Sequence, residues 1–293
     1  MFLTQSELDT ALDNLEDKEA AEILRKAYRP VAAIEPDESA DRVGGTRITG
    51  TPDVPAGFDW PQMNYNNLTG IDANFEHDAR FDGKPLPFVA QIDLAELAAT
   101  QVLGSTMPTE GRLLFFMDTR NVDSYPHHCN NRVLWDRTPI DALTSHPLPE
   151  ELRQATITEY GEDQDDGAFY GVKTPAKISR GLGIFSTNLP EFDALLADAS
   201  EGTAEAVHEY TYEVDGDEFP EDSWHRNTVL ALPIPEQNDP REIDNLTPRG
   251  EWQVLLQLSL DEWWGEGTVY FIIDSADLAE GNFDNVLALY QQT

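Results

Sequence analysis

Three stretches hold residue types able to do chemistry. In YPHHCNNR, residues 125–132, His127, His128 and Cys129 are zinc-ligand types, and a Cys near a His is also the pairing of an activated nucleophile. Neighbours on an extended chain point to opposite faces, so His127 and Cys129 share a side and His128 does not. A metal site here needs His146 or an acid such as Asp123 from elsewhere in the fold; the plainer reading is a loop with a half-buried thiol. GEDQDDG (161–167) and EVDGDEFPED (213–222) are dense in carboxylates. Neither keeps the calcium-loop pattern, and where the first needs a Glu it has Lys173, so solvated loops account for both. H-E-x-x-H, G-x-S-x-G, the Walker A spacing and a dinucleotide-binding glycine fingerprint are absent. No catalytic residue, metal or cofactor is assigned.

The third stretch occurs twice. FVAQIDLAEL (88–97) and VLLQLSLDEW (254–263) align Gln91 with Gln257 and Leu94 with Leu260; GRLLFFMD (111–118) and GTVYFIID (267–274) then align Gly111 with Gly267, Phe115 with Phe271 and Asp118 with Asp274. A buried amide costs about 1–3 kcal/mol unless hydrogen-bonded. The same Gln in both copies therefore implies the same backbone partner twice. The sharper alternative sets both amides at the seam between the repeats, with Trp60 and Trp264, as the lining of a ligand cleft.

These residues need elements to hold them. Thr4 and Glu7 have capping-box spacing, and Leu8, Leu12, Leu15, Ile23, Leu24 and Ala27 form an apolar stripe that breaks near Glu16–Asp17. The expectation is two short helices or one bent one, ended by Pro30. VAAIEP reads as a short strand. PFVAQI, GRLLFFMD, RVLWD, WQVLLQL and GTVYFIID read as strands, the apolar ones central. Asp93 should cap a short helix and Asn188 a longer one, and HEYTYEV (208–214) alternates like a half-buried strand. The fold expected is α+β: a mainly antiparallel sheet with an internally duplicated strand–short helix–strand unit and an N-terminal helical segment over 1–30. It forms one body over 1–293, with pseudo-repeat halves at 31–150 and 151–293.

Acidic residues number 55 against 19 Lys and Arg, for a formal net charge of −36. Phosphate backbones and anionic membranes repel such a surface, so neither nucleic acid nor membrane is an expected partner. Two readings remain, a solvation surface suited to a salty medium or a surface shaped for a basic protein. A single Cys excludes an internal disulfide. The opening residues lack the pattern of a signal peptide and no stretch is long and apolar enough to span a membrane, so a cytoplasmic location is expected.

The spacing of Gly44, Gly45, Pro52, Asp53, Pro55, Gly57 and Trp60, followed by Gln91, Gly111, Gln257, Trp264, Gly265, Gly267 and Phe283, resembles the YwqG-like family of bacterial domains of unknown function from about residue 43 onward. Two departures stand out: Arg47–Gly50 lengthen the run after the glycine pair, and Ala231 or Leu232 stands where the family has a Gly. The resemblance implies an α+β fold and no established reaction. The leading functional expectation is a non-enzymatic binding protein, immunity-like in its sharpest form, engaging a basic partner. The alternatives are a small-ligand protein or enzyme at the repeat seam, and metal chemistry at His127 and Cys129.

Overall fold

The structure, a computed structural model, describes residues 2–64, 82–103, 107–118, 129–160, 172–215, 227–243, 246–260 and 267–292. Its first element is helix α1 (Gln5–Asp13). Thr4 Oγ1 accepts from Glu7 N, and the Glu7 carboxylate accepts from Thr4 N. Asp17 caps α2 (Lys18–Ala27), so the break lies where the sequence placed it. α2 stops at Ala27, three residues earlier than Pro30 suggested, and the chain runs directly into strand β1 (Tyr28–Pro36), longer than VAAIEP.

Then follow β2 (Arg47–Ile48), β3 (Asp53–Pro55), β4 (Phe88–Asp93), helix α3 (Leu94–Ala99), β5 (Arg112–Met117), β6 (Asn131–Asp136), β7 (Leu143–Ser145), α4 (Glu150–Tyr160), β8 (Thr174–Ile184), α5 (Pro190–Leu196), α6 (Glu201–Asp215), β9 (Thr228–Val229), β10 (Trp252–Ser259), β11 (Thr268–Asp274), α7 (Ser275–Glu280) and β12 (Leu287–Gln291). Ten of these strands form one sheet in the order β12-β11-β10-β9-β1-β8-β2-β4-β5-β6, while β3 and β7 pair separately. Every pairing is antiparallel. The outermost strands approach each other: Cys129, just before β6, donates its N–H to Ala288 O of β12 at 2.8 Å. That bridge bends the sheet into a nearly closed barrel and protects edges that would otherwise be exposed. Inside, Phe115 and Phe271 meet edge to face, centroids 4.9 Å apart.

The order is palindromic, and the register shows why. β1-β2-β4-β5-β6 corresponds to β8-β9-β10-β11-β12. Gln91 pairs with Leu114 and Gln257 with Tyr270. Each first hairpin carries a one-residue bulge, at Val89 and at Leu255. After each two-residue strand a non-glycine residue takes positive φ, Thr49 at 58° and Leu230 at 48°. Each donates its N–H to the carbonyl of the bulged residue, Thr49 to Val89 at 2.8 Å and Leu230 to Leu255 at 3.2 Å. Gly111 and Gly267 have φ of 84° and 88°. A Cβ there would lie 2.4 Å from Asp136 O and 2.7 Å from Gln291 O, so no other residue fits either turn. The α+β fold with a duplicated antiparallel sheet is thus present down to single hydrogen bonds. The first strand of each repeat crosses over: β1 lies against β9 of the second, β8 against β2 of the first.

Some local expectations are corrected. Residues 208–214 are helix, the end of α6. The aromatic alternation is incidental; Thr203, Val207 and Thr211 are buried at four-residue steps, and that stripe packs the helix on the layer beneath. Asn188 does not cap α5, whose N-cap is Leu189 without a side-chain bond; Pro190 at the first turn supplies the fixed φ instead. Asp93 does cap α3. The second copy's short turn at 261–266 lies outside the described residues, and a helix, α7, follows β11 with Asp274 as its cap. Among the described residues no helix is long and apolar enough to cross a membrane.

Candidate functional site

The barrel is duplicated; the helical layer beside it is not. Residues 37–46 join β1 to β2, while the corresponding connection from β8 to β9 is residues 185–227 and carries α5 and α6. α1 and α2 pack on this insertion through a separate core in which Leu8, Leu12, Leu24 and Tyr28 meet Phe185, Leu189, Phe192 and Val207. Arg25 ties the two N-terminal helices together by pairing with Asp9, Asp13 and Glu22. Thr203 Oγ1 donates to Glu19 Oε2 at 3.3 Å and joins α6 to α2. Asp17 accepts backbone N–H groups of Ala20 and Glu19, and the bond from Ala20 above all holds its carboxyl below the usual range despite the opposing effect of desolvation.

Two cavities flank α6. One, about 330 Å³, lies where the corner between α1 and α2 faces α6, with Leu15, Glu16, Asp17 and Ala20 on one wall and Ala206, Glu209 and Tyr210 on the other. The second, about 620 Å³, is lined by Thr187, Glu205, His208, Glu209, Thr211 and Tyr212. Glu209 borders both, and no Lys or Arg is among the described lining residues. Tyr212 is 77% exposed, large for an aromatic. Carboxylates beside aromatic faces suit cations: the first pair with guanidinium or ammonium groups, the second attract them through the ring quadrupole. Sequence reading missed Glu209 and Tyr212 because it took their segment, 208–214, for a strand, and it assigned Glu205 to no element. The four-residue spacing of Thr203, Val207 and Thr211 was the available signal.

The residues singled out from sequence lie elsewhere. Gln91 is fully buried; its Nε2 donates to Gly45 O at 2.7 Å and its Oε1 accepts from Asp53 N at 2.9 Å. Gln257, equally buried, accepts from Ile234 N at 2.9 Å. Ala90, Ile92, Leu256 and Leu258 face the barrel core, so both amides point to the outer face. β4 and β10 are five strand steps apart, roughly 24 Å along the sheet, and the amides are not brought together. Trp60 donates Nε1–H to Leu86 O at 2.8 Å and packs against Phe116 and His146. His127, Trp264 and the acidic loop at 161–167 lie outside the described residues. Cys129 is buried in the barrel closure; desolvation, then the Asp118 carboxylate, push its thiol far up, away from the thiolate that nucleophiles and metal ligands require. Among the described residues no group of three or more His, Cys, Asp and Glu is placed to hold a metal ion.

A second concentration of charge is closed rather than open. Arg47 and Asp53, 3% and 2% exposed, form an ion pair beneath the segment that begins at Gly44. Asp53 Oδ2 also accepts from Gly44 N at 2.7 Å. Arg112, likewise buried, donates Nε–H to Asp136 at 2.8 Å.

A family model described as a domain of unknown function (DUF1963) matches residues 46–291. The match begins next to β2 and leaves α1, α2 and β1 outside. No curated protein matches the chain.

Proposed function

The chain belongs to the DUF1963 family of uncharacterised domains, and from that premise we propose that it is a non-enzymatic protein-binding module whose helical layer engages a basic partner. Within the family, the Gly44-Gly45, Pro52-Asp53 and Trp60-Pro61 pairs support a YwqG-like relationship. One observation carries the functional reading: two adjoining cavities share Glu209, are walled by Glu16, Asp17 and Glu205, and have no cation among their described lining residues. The net charge of −36 adds long-range attraction for a basic protein, which raises encounter rates before contacts form. In its sharpest form the pairing is immunity-like, with the acidic layer covering a basic face of the partner.

The test must separate this site from the general charge. A labelled oligo-arginine peptide is titrated against the full chain at about 0.15 M salt, where charges more than ~8 Å apart are largely screened. Glu205→Gln with Glu209→Gln removes only two negative charges. Binding at the cavities predicts a loss of about tenfold, ~1.4 kcal/mol. Asp141→Asn with Glu151→Gln, outside the helical layer, removes the same charge and should leave affinity unchanged. Equal effects from both pairs defeat the proposal.

A further inference from the structure

The crossed first strands have a consequence for self-association. Residues 2–36 form an arm of α1, α2 and β1. Its sheet neighbours are β8 and β9, both of the second repeat, and α2 packs on α5 and α6 of the same repeat. Phe2 adds to the contact, bridging to Leu182 of β8, the residue that Pro30 of β1 also faces. The connection from this arm to its own repeat runs through residues 37–46, pinned by Asp37 N to Pro175 O at 2.8 Å and by the Lys173–Asp41 pair.

We propose that this arm is exchangeable, and that two copies of the chain form a dimer in which each arm fills the slot between β8 and β9 of the other. Every contact between the arm and the remainder is preserved in the exchange; only the path of residues 37–46 changes. That is the condition under which exchange of an identical element is a low-cost route to a dimer. A tethered arm meets its own slot at an effective concentration of order mM for a short flexible link, so the monomer prevails when dilute and the dimer forms as chain concentration approaches that range. β1 is central in the sheet, not at its edge, so exchange requires unfolding and the dimer, once formed, persists on dilution. The dimer has a built consequence: Leu15, Glu16, Asp17 and Ala20 come from the arm and Ala206, Glu209 and Tyr210 from the second repeat, so each of the smaller cavities would be walled by two chains. The inference rests on strand topology and stands whether or not that cavity takes a basic partner.

Cross-linking tests it on the full chain. Phe2 and Leu182 exchange both backbone hydrogen bonds, at 3.1 and 2.8 Å. Such a pair has Cα atoms about 5.5 Å apart, within disulfide reach. A Phe2→Cys chain and a Leu182→Cys chain are unfolded, mixed, refolded together in molar KCl and then oxidised. Exchange predicts a covalent dimer of the two variants, absent after refolding near 1 μM and about a quarter of the protein near 1 mM, where roughly half the chains are exchanged and half of those dimers are mixed. A chain carrying both substitutions, refolded dilute, should close the disulfide within itself. If it closes and the mixture stays monomeric at every concentration, the arm does not exchange. If it fails to close, the arm is not docked as described and the proposal falls with it.

Discussion

At the outer face of the first repeat Arg47 and Asp53 form a buried ion pair; the corresponding positions of the second repeat hold Thr228 and Ile234, as the shared register requires. Arg112 and Asp136 pair in the first; Thr268 and Gln291 stand in their places. Thr268 donates Oγ1–H to Glu236 at 2.8 Å, and Gln291 accepts from Glu236 N and Gln237 N and donates to Asn238 O. What the repeats share is the Gln, the bulge, the positive φ and the glycine turn. What they do not share is a buried ion pair at these positions. The second repeat therefore shows that the joint can be made without an Arg–Asp pair. Two charges taken out of water are expensive, and a buried pair is often no better than a neutral substitute of similar volume. The ionic joint of the first repeat is a specialisation added to a fold that does not need it.

The largest test breaks one pair. Asp53→Ala leaves the Arg47 guanidinium buried without its counter-charge and strips acceptors from Gly44 N. The expected loss is about 3–5 kcal/mol by urea unfolding of the full chain. Giving the first repeat the second one's residues, Arg47→Thr with Asp53→Ile, should recover most of it. If the double variant is as unstable as the single, the repeats are not interchangeable and the comparison fails.

Substitutions at shared features should act alike in both repeats. Gly111→Ala and Gly267→Ala each combine positive φ with a backbone carbonyl inside contact distance. Strain of this kind costs of order 1–3 kcal/mol before the displaced strand is counted. Gln91→Leu and Gln257→Leu each remove the partner of backbone groups, the buried Asp53 N and Gly45 O in one case and the part-buried Ile234 N in the other, a loss of about 1–3 kcal/mol per site. The same urea series reads all four. A loss confined to one repeat would mean that the Gln serves that repeat alone.

What the sequence could announce follows the same division. Continuous apolar runs in β4, β5, β10 and β11 and the matched Gln marked the duplicated joint, because each strand carries its own hydrophobic signal. Thr4 and Glu7 marked the start of the first helix, because capping is local chemistry, and the interrupted apolar stripe marked the break at Glu16–Asp17. β8, reading TPAKISRGLGI, gave no such sign: its Pro, two Gly and two cations disguise a strand whose stability comes from nine residue pairs with β1. The crossing of β1 and β8 was equally hidden, since partner choice is a property of the assembled sheet. α4 and α6 sit where turn residues and aromatic alternation outweighed a weak helical stripe, and the acidic cavities went unseen with them. The ion pairs were invisible for a plainer reason: Asp53 stands six positions after Arg47 and nothing in the interval says both are buried.

The subtlest test uses pH. Asp136 is partly buried, and desolvation alone would raise its pKa; hydrogen bonds from the Thr138 side chain and N–H and from Arg112 outweigh that and hold it below the ordinary value. A carboxyl depressed on folding adds stability that is fully present above its unfolded value, near 3.9, and is lost as pH falls through the lower folded value, because the unfolded chain binds the proton first. Asp136→Asn should therefore be less stable than the parent at pH 7. The gap should narrow as the pH drops below about 4, where the parent's own carboxyl becomes neutral. Taking the difference between parent and variant removes the contribution of the other acids, so only this site is read. Gln291→Ala in the second repeat removes the neutral counterpart, and its difference from the parent should show no step in that window. A gap for Asp136→Asn that stays constant down to pH 2 would mean that the ion pair adds nothing, and that the two joints differ in residue type but not in electrostatics.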